Sequence, residues 1–207
     1  MSKSAVVFGY SGHAYVVLDV LIANQYYIAG YCDATPKNNN PFNLPYLGSE
    51  QEDSVLEKLL SYDAFLGIGS NNIRAKLFEK LVRHRINVPL TIHTSAVVSP
   101  SAKIGDGTVV MPGAVINAMA KIGNAVICNS SSVIEHECII GDYAHIAPGT
   151  VLAGNVSVGK NTFIGTNSVV KQGITIGANV VIGAGSVIIK DIADGLTVYG
   201  NPAKSNK

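Results

Sequence analysis

From Ile92 onward the chain places an apolar residue at every sixth position without once losing register. The series runs Ile92, Val98, Ile104, Val110, Ile116, Ile122, Cys128, Ile134, Ile140, Ile146, Leu152, Val158, Ile164, Val170, Ile176, Ile182 and Ile188. Only Cys128 is not a branched aliphatic. Four residues after each member comes a small or β-branched residue, from Ala96 and Ala102 through Cys138 to Ile192. The residue just before that one is often Gly or Asn, as at Gly107, Gly149, Asn155, Asn167 and Gly185.

An amphipathic helix repeats about every 3.6 residues and a simple strand every two. A period of six fits neither. It fits a two-residue strand plus a corner, three such units closing one triangular coil. The aliphatic points inward and stacks on its equivalent one coil away, and the small residue fits the inner corner. Gly and Asn tolerate the left-handed backbone of a sharp corner. Each coil buries its inner face only against its neighbours, so the assembly is quasi-one-dimensional. The expectation for residues 91–207 is an all-β left-handed parallel β-helix of between five and six coils with no external loop.

Residues 1–90 read as a separate Rossmann-like α/β domain. Ser4–Gly9, Tyr27–Cys32 and Ala64–Gly69 are strand candidates, and Ala14–Ala23, Glu52–Ser61 and Asn72–His84 are helix candidates. Such alternation argues a small parallel sheet. The Gly-rich turn Gly9–His13 between first strand and first helix would leave free amides at a helix N-terminus, which suits a phosphate. It lacks the third glycine of the dinucleotide fingerprint. Asp33 ends the second strand, where a ribose or base contact often sits. Ala34–Pro45 is polar and turn-rich and reads as a mobile loop.

The net charge of +1, with 14% charged residues, offers no basic face for nucleic acid. Mean hydropathy is +0.29, yet no apolar run reaches membrane-spanning length. The start of the chain lacks a signal-peptide pattern, and the three cysteines are odd in number with no metal-type spacing. A reduced, cytoplasmic protein is the expectation.

Six-residue prisms of this kind most often serve CoA-dependent acyltransferases, but a fold alone does not decide a function. The hexad Ile134-Glu-His-Glu-Cys-Ile139 breaks the run of Gly, Asn and Ser by placing three ionisable groups at one corner. His145 falls in the next hexad. Acetyl transfer to an amine needs the amine neutral, and an imidazole can take that proton near neutral pH. An adjacent carboxylate can fix the ring's tautomer, and backbone N–H groups can stabilise an oxyanion. Cys138, at the inward fifth position, reads as structural rather than acylated.

Five stretches carry a family resemblance: Gly9-Tyr-Ser-Gly-His13, Gly67-Ile-Gly-Ser-Asn-Asn-Ile-Arg74, Asn129-Ser-Ser-Ser-Val-Ile-Glu-His-Glu-Cys138, Ala153-Gly-Asn155 and Gly200-Asn-Pro-Ala-Lys204. In these the chain resembles the bacterial sugar-modifying β-helix acetyltransferases, the sialic acid O-acetyltransferase-like family, over nearly its whole length. The Glu-His-Glu form is closest to the branch acting on UDP-N-acetylbacillosamine. The resemblance implies an acetyl-CoA-dependent N-acetyltransferase, without metal, acting directly on the 4-amino group of a UDP-linked amino-dideoxy sugar. It implies His136 as general base with Glu137 as partner, and substrate contacts from Gly9, Ser11, Gly12, His13, Asp33, Gly69, Asn71, Arg74 and Asn129. His145, Gly154 and Gly173 would meet acetyl-CoA. A homotrimer with sites between adjacent β-helices is also implied. Tyr10 stands where a small residue is expected.

Acetylation of GDP-perosamine or of a sialic acid hydroxyl is the alternative within the same chemistry. Zinc-dependent hydration would need His93, His136 and His145 to converge on one metal. A non-catalytic β-helix scaffold is the third class, against which the Glu-His-Glu hexad argues.

Overall fold

The computed structural model describes residues 3–205. The N-terminal unit is β1 (Ser4–Phe8), α1 (Gly12–Ala23), β2 (Tyr27–Cys32), β3 (Tyr46–Gly48), α2 (Asp53–Glu57), β4 (Asp63–Leu66) and α3 (Asn71–Arg83). Its four strands are parallel in the order β3-β2-β1-β4. α1 begins at Gly12, two residues before the expected Ala14, because Ser11 is extended and serves as N-cap. α2 stops at Glu57 rather than Ser61. β3 was not anticipated: at three residues it is too short to show a period.

The expectation of a mobile loop at 34–45 needs correction, because this segment is pinned. Asn40 receives the Leu44 amide and donates to the Leu44 carbonyl, while Phe42 and Leu44 pack on the α1 layer. Tyr10 supplies the anchor. Buried and stacked on Tyr31 at 4.1 Å between ring centroids, it donates its hydroxyl to Asn40 Oδ1 at 2.6 Å.

Thr91–Ile92 opens seventeen two-residue strands that wind through three parallel sheets to Val187–Ile188. The first residue of each strand points outward and the second inward. On the first face the outward residues are Thr91, Val109, Ile127, His145, Phe163 and Val181; on the second they are Val97, Val115, Val133, Val151, Val169 and Val187. The third face carries Lys103, Lys121, Ile139, Ser157 and Thr175. The inward aliphatics and the fifth-position residues form one continuous core. Each buried aliphatic contributes roughly 1.5–3 kcal/mol. All fourteen corner residues at six-residue steps from Gly107 to Gly185 have positive φ. Nine are Gly or Asn, as the pattern demands. The other five, Met119, Ala125, Ser131, Glu137 and Tyr143, are consecutive corners.

The α/β unit sits on the first face. Val7, Tyr10 and Phe65 share a core with Val109, Met111 and Ile127, and Phe78 and Leu81 share one with Ala125. The second and third faces remain uncovered. A hairpin of Thr197–Gly200 and Ala203–Ser205 extends the first face at its end. No helix of the described residues is long and apolar enough to cross a membrane.

Candidate active site

His136 and Glu137 occupy the corner between the second and third faces. His136 Nδ1 lies 3.1 Å from Glu137 Oε2, and the two side chains are 51% and 65% exposed. The corner is held from below by ladder bonds. The Asn155 N–H donates to the His136 carbonyl at 2.8 Å, and the Gly173 N–H to the Gly154 carbonyl at 3.0 Å. Gly154 is one coil beneath His136, and a Cβ there would come within 2.5 Å of His136 Nε2 and Cε1. At Gly173, one coil further, a Cβ would meet nothing. Glycine at 154 thus leaves the imidazole its place. Cys138 is buried, its Sγ directed at the Ala153 carbonyl 3.3 Å away, and burial raises its thiol pKa. That is the environment of a structural cysteine.

His145 lies elsewhere, outward on the first face and beneath the α/β unit. It is buried, edge-on to Phe163 at 5.1 Å and 6.3 Å from the ring of His13. Burial, with the nearby Arg74 charge, pushes His13 down to about 4 and His145 down to about 3. Both rings are therefore neutral at physiological pH. Asn129 Nδ2 is 3.0 Å from His145 Nε2.

Arg74 is buried, and its guanidinium donates to the carbonyls of Ile68, Gly69, Ala125, Tyr143 and Ala144 and to Asn71 Oδ1. Every N–H group is spoken for, so its part is to join α3 and the 68–69 turn to the β-helix, with no donor left for a ligand. Asn71 does similar work, accepting from Arg74 and donating to the Asn161 carbonyl at 3.1 Å.

The remaining expected contacts gather at the carboxyl edge of the parallel sheet, where open α/β sheets bind ligands. Gly9 turns out of β1 with φ +84°, where a Cβ would strike Ile68. Ser11 and Gly12 are exposed at the α1 N-terminus, and a Cβ at Gly12 would meet nothing. Asp33 is already engaged, taking the Tyr10 N–H at 2.9 Å and pairing with Lys37 at 2.8 Å. Gly69 begins a cleft of about 440 Å³ between α3 and the β-helix, lined also by Ser70, Asn72, Asn161, Phe163 and Asn179.

The chain therefore holds two separate groups. His136, Glu137, Gly154 and Gly173 share one corner, while His13, Asn129, His145, Asn71 and Arg74 share the first face. In a triangular prism that corner is opposite that face. Sequence reasoning missed Phe163 and Asn161 in the cleft. A signal existed for Phe163: it and His145 are the only rings among the outward strand residues, and they are register partners. Asn161 could not be told from an ordinary corner asparagine. Among the described residues no group of three His, Cys, Asp or Glu side chains is arranged to hold a metal.

The PglD N-terminal domain family matches residues 4–81, and two transferase hexapeptide-repeat families match residues 119–154 and 155–190. The structure of PerB from Caulobacter crescentus, in complex with CoA and GDP-perosamine, is 38% identical, covers 99% of this chain and 97% of that one, and superposes with a TM-score of 0.93. The chain belongs to this family of hexapeptide sugar acetyltransferases. The family's acetyltransferase domain of PglB from Neisseria gonorrhoeae FA1090, in complex with acetyl coenzyme A, is 36% identical, with each chain fully covered and a TM-score of 0.92. UDP-N-acetylbacillosamine N-acetyltransferase of Bacillus subtilis (strain 168) is 37% identical over 111 residues. That stretch covers 53% of this chain and about half, 51%, of the curated relative.

Proposed function

We propose that this chain transfers an acetyl group from acetyl-CoA to the 4-amino group of a nucleotide-linked amino-dideoxy sugar, with His136 as general base. The carrying observation is the exposed His136–Glu137 pair, with the His136 ring seated over Gly154, where any side chain would collide with it. Glu137 accepts from Nδ1–H, which leaves Nε2 as the basic nitrogen. The neutral 4-amine attacks the thioester carbonyl, Nε2 takes the proton that this nitrogen sheds as the N–C bond forms, and the resulting imidazolium returns it to the sulfur as the C–S bond breaks. Acetyl-CoA supplies the activated thioester carbonyl. The acetyl group passes directly to the amine, and no side chain need be acylated.

The nucleotide falls to the carboxyl edge of the N-terminal sheet, with the diphosphate on the α1 amides beside Ser11 and Gly12. Because that edge and His136 belong to opposite sides of one prism, the reading requires a second copy to bring them together. The unbroken valine stripe of the second face supports self-association: Val97 is 63% and Val169 44% exposed. Exposed contiguous apolar surface of this kind marks an interface, and three copies around one axis close the arrangement.

The first reading for the acceptor is the UDP-linked, bacillosamine-type sugar, after the Bacillus subtilis relative. The second is GDP-perosamine, favoured by the 97% coverage of PerB. Incubating purified protein with acetyl-CoA and a panel of UDP- and GDP-linked 4-amino sugars, with mass detection of product, separates them. Turnover only on a free sialic acid would overturn both. Replacing His136 with Ala lowers turnover at least ~100-fold with folding intact; unchanged turnover would remove His136 from its role.

A further inference from the structure

Met119 stands on the same corner as His136, one coil toward the N-terminus. The Glu137 N–H donates to the Ala118 carbonyl at 2.9 Å, which sets residues 117–119 directly against residues 135–137. Hydrogen-bonded strands lie about 4.8 Å apart, so Met119 and Glu137 are next neighbours along the corner. Met119 has a φ of +63° and is 57% exposed. It belongs to the five consecutive corners where neither Gly nor Asn stands. Others of that set have partners within the chain: Ala125 is buried with Phe78 and Leu81, Tyr143 packs on Phe78 and reaches Glu79, and Glu137 pairs with His136. Met119 gives its backbone N–H to Ser101 Oγ at 3.0 Å, while its side chain is in solvent beside the polar residues Asn117, Glu135 and Glu137. A long apolar side chain is thus kept in an unfavourable backbone conformation next to the proposed base. Strain retained at such a place points to a ligand.

The chemistry of the acceptor says which part of it arrives there. In a 4-amino-4,6-dideoxy sugar the reacting nitrogen is on C4 and the methyl is carried by the adjacent C5. Bringing that nitrogen to His136 Nε2 brings the methyl to the same corner. The His136 ring lies over Gly154 on the C-terminal side, which leaves the Met119 side as the flank for the sugar. A flexible thioether chain moulds itself to a small apolar group. A hydroxyl in the methyl's place would give up water for a weak sulfur acceptor.

We propose that Met119 is a specificity-determining residue that covers the C6 methyl of the acceptor and so selects 4-amino-4,6-dideoxy sugars over analogues hydroxylated at C6, a role that rests on the proposed transfer to a 4-amino group. The test is kcat/KM on the nucleotide-linked 6-deoxy sugar and on its 6-hydroxy analogue, for the native chain, Met119→Gly and Met119→Gln. The native chain should prefer the 6-deoxy sugar at least ~10-fold, the scale of discrimination by one small apolar contact. Met119→Gly should lose most of that preference through poorer use of the 6-deoxy sugar. Its KM for acetyl-CoA should be unchanged and its melting equal or higher, because glycine suits the corner. Met119→Gln, close in length but polar, should move the preference toward the 6-hydroxy sugar. A preference absent from the native chain, or unchanged in both variants, would overturn the proposal. So would variants whose assembly falls apart in sedimentation while both sugars lose turnover alike, since Met119 would then be a contact between copies. Native protein inactive on every nucleotide-linked 4-amino sugar would overturn the proposed function and, with it, this role of Met119.

Discussion

At Glu137 the chain accepts a backbone conformation that favours glycine while keeping a carboxylate. Its φ of +61° is one of the five consecutive corners where neither Gly nor Asn stands. A side chain in that region costs roughly 1–2 kcal/mol. Glu137→Gly should therefore fold with equal or higher stability, by up to about 1 kcal/mol, and lose at least ~10-fold in turnover. Urea denaturation and steady-state rates on one preparation check both halves; a variant that keeps full turnover would show that Glu137 is only a corner. Gly154→Ala makes the opposite probe. The added methyl collides with the His136 ring, which can swing into solvent, so melting should change little. Turnover should fall about 100-fold, the cost of a misplaced catalytic group.

Among the elements, α3 decides how the two folds are coupled. Its Arg74 draws five carbonyls from three segments onto one guanidinium. Arg74→Lys keeps the charge but not the fork, leaving several buried carbonyls unpaired, and should cost at least about 3 kcal/mol by urea denaturation. A loss under 1 kcal/mol would mean that water replaces the fork. The family resemblance, carried by the Gly67–Arg74 stretch, placed Arg74 among substrate contacts. Its burial depends on Ala125, Tyr143 and Ala144, fifty or more residues away, which no local pattern reveals. The prism was legible for the converse reason: its contacts repeat at eighteen residues, so each inward aliphatic announces its own neighbour. The pinned 34–45 segment falls between these cases, since what anchors it is Tyr10, a residue that looked merely out of place.

At the scale of the whole molecule, burying His13 and His145 as neutral rings ties stability to pH. In the unfolded chain an imidazole takes up its proton below about pH 6.5, whereas the folded rings wait until about 4 and about 3. The unfolded state thus binds more protons in that window. Stability from these groups is fully present above about pH 6.5 and is lost as pH falls toward the folded values, at about 1.4 kcal/mol per pH unit for each ring. His145→Gln should unfold with a shallower dependence between pH 7 and 5 than the native chain, and equal slopes would contradict the burial argument.

His136, the proposed base, sits on a corner opposite the face that holds the N-terminal domain. Mixed oligomers test most directly whether two copies share one site. His136→Ala removes the proposed base and leaves the N-terminal cleft. Gly12→Asp has open space for its side chain, so it folds but sets a carboxylate against the diphosphate. Each variant alone should be nearly inactive on acetyl-CoA and the amino sugar. If the site is shared between copies, co-refolding the two should restore turnover far above either parent, because some sites then pair an intact His136 with an intact cleft. Activity that stays at the mean of the two parents would contradict the shared site.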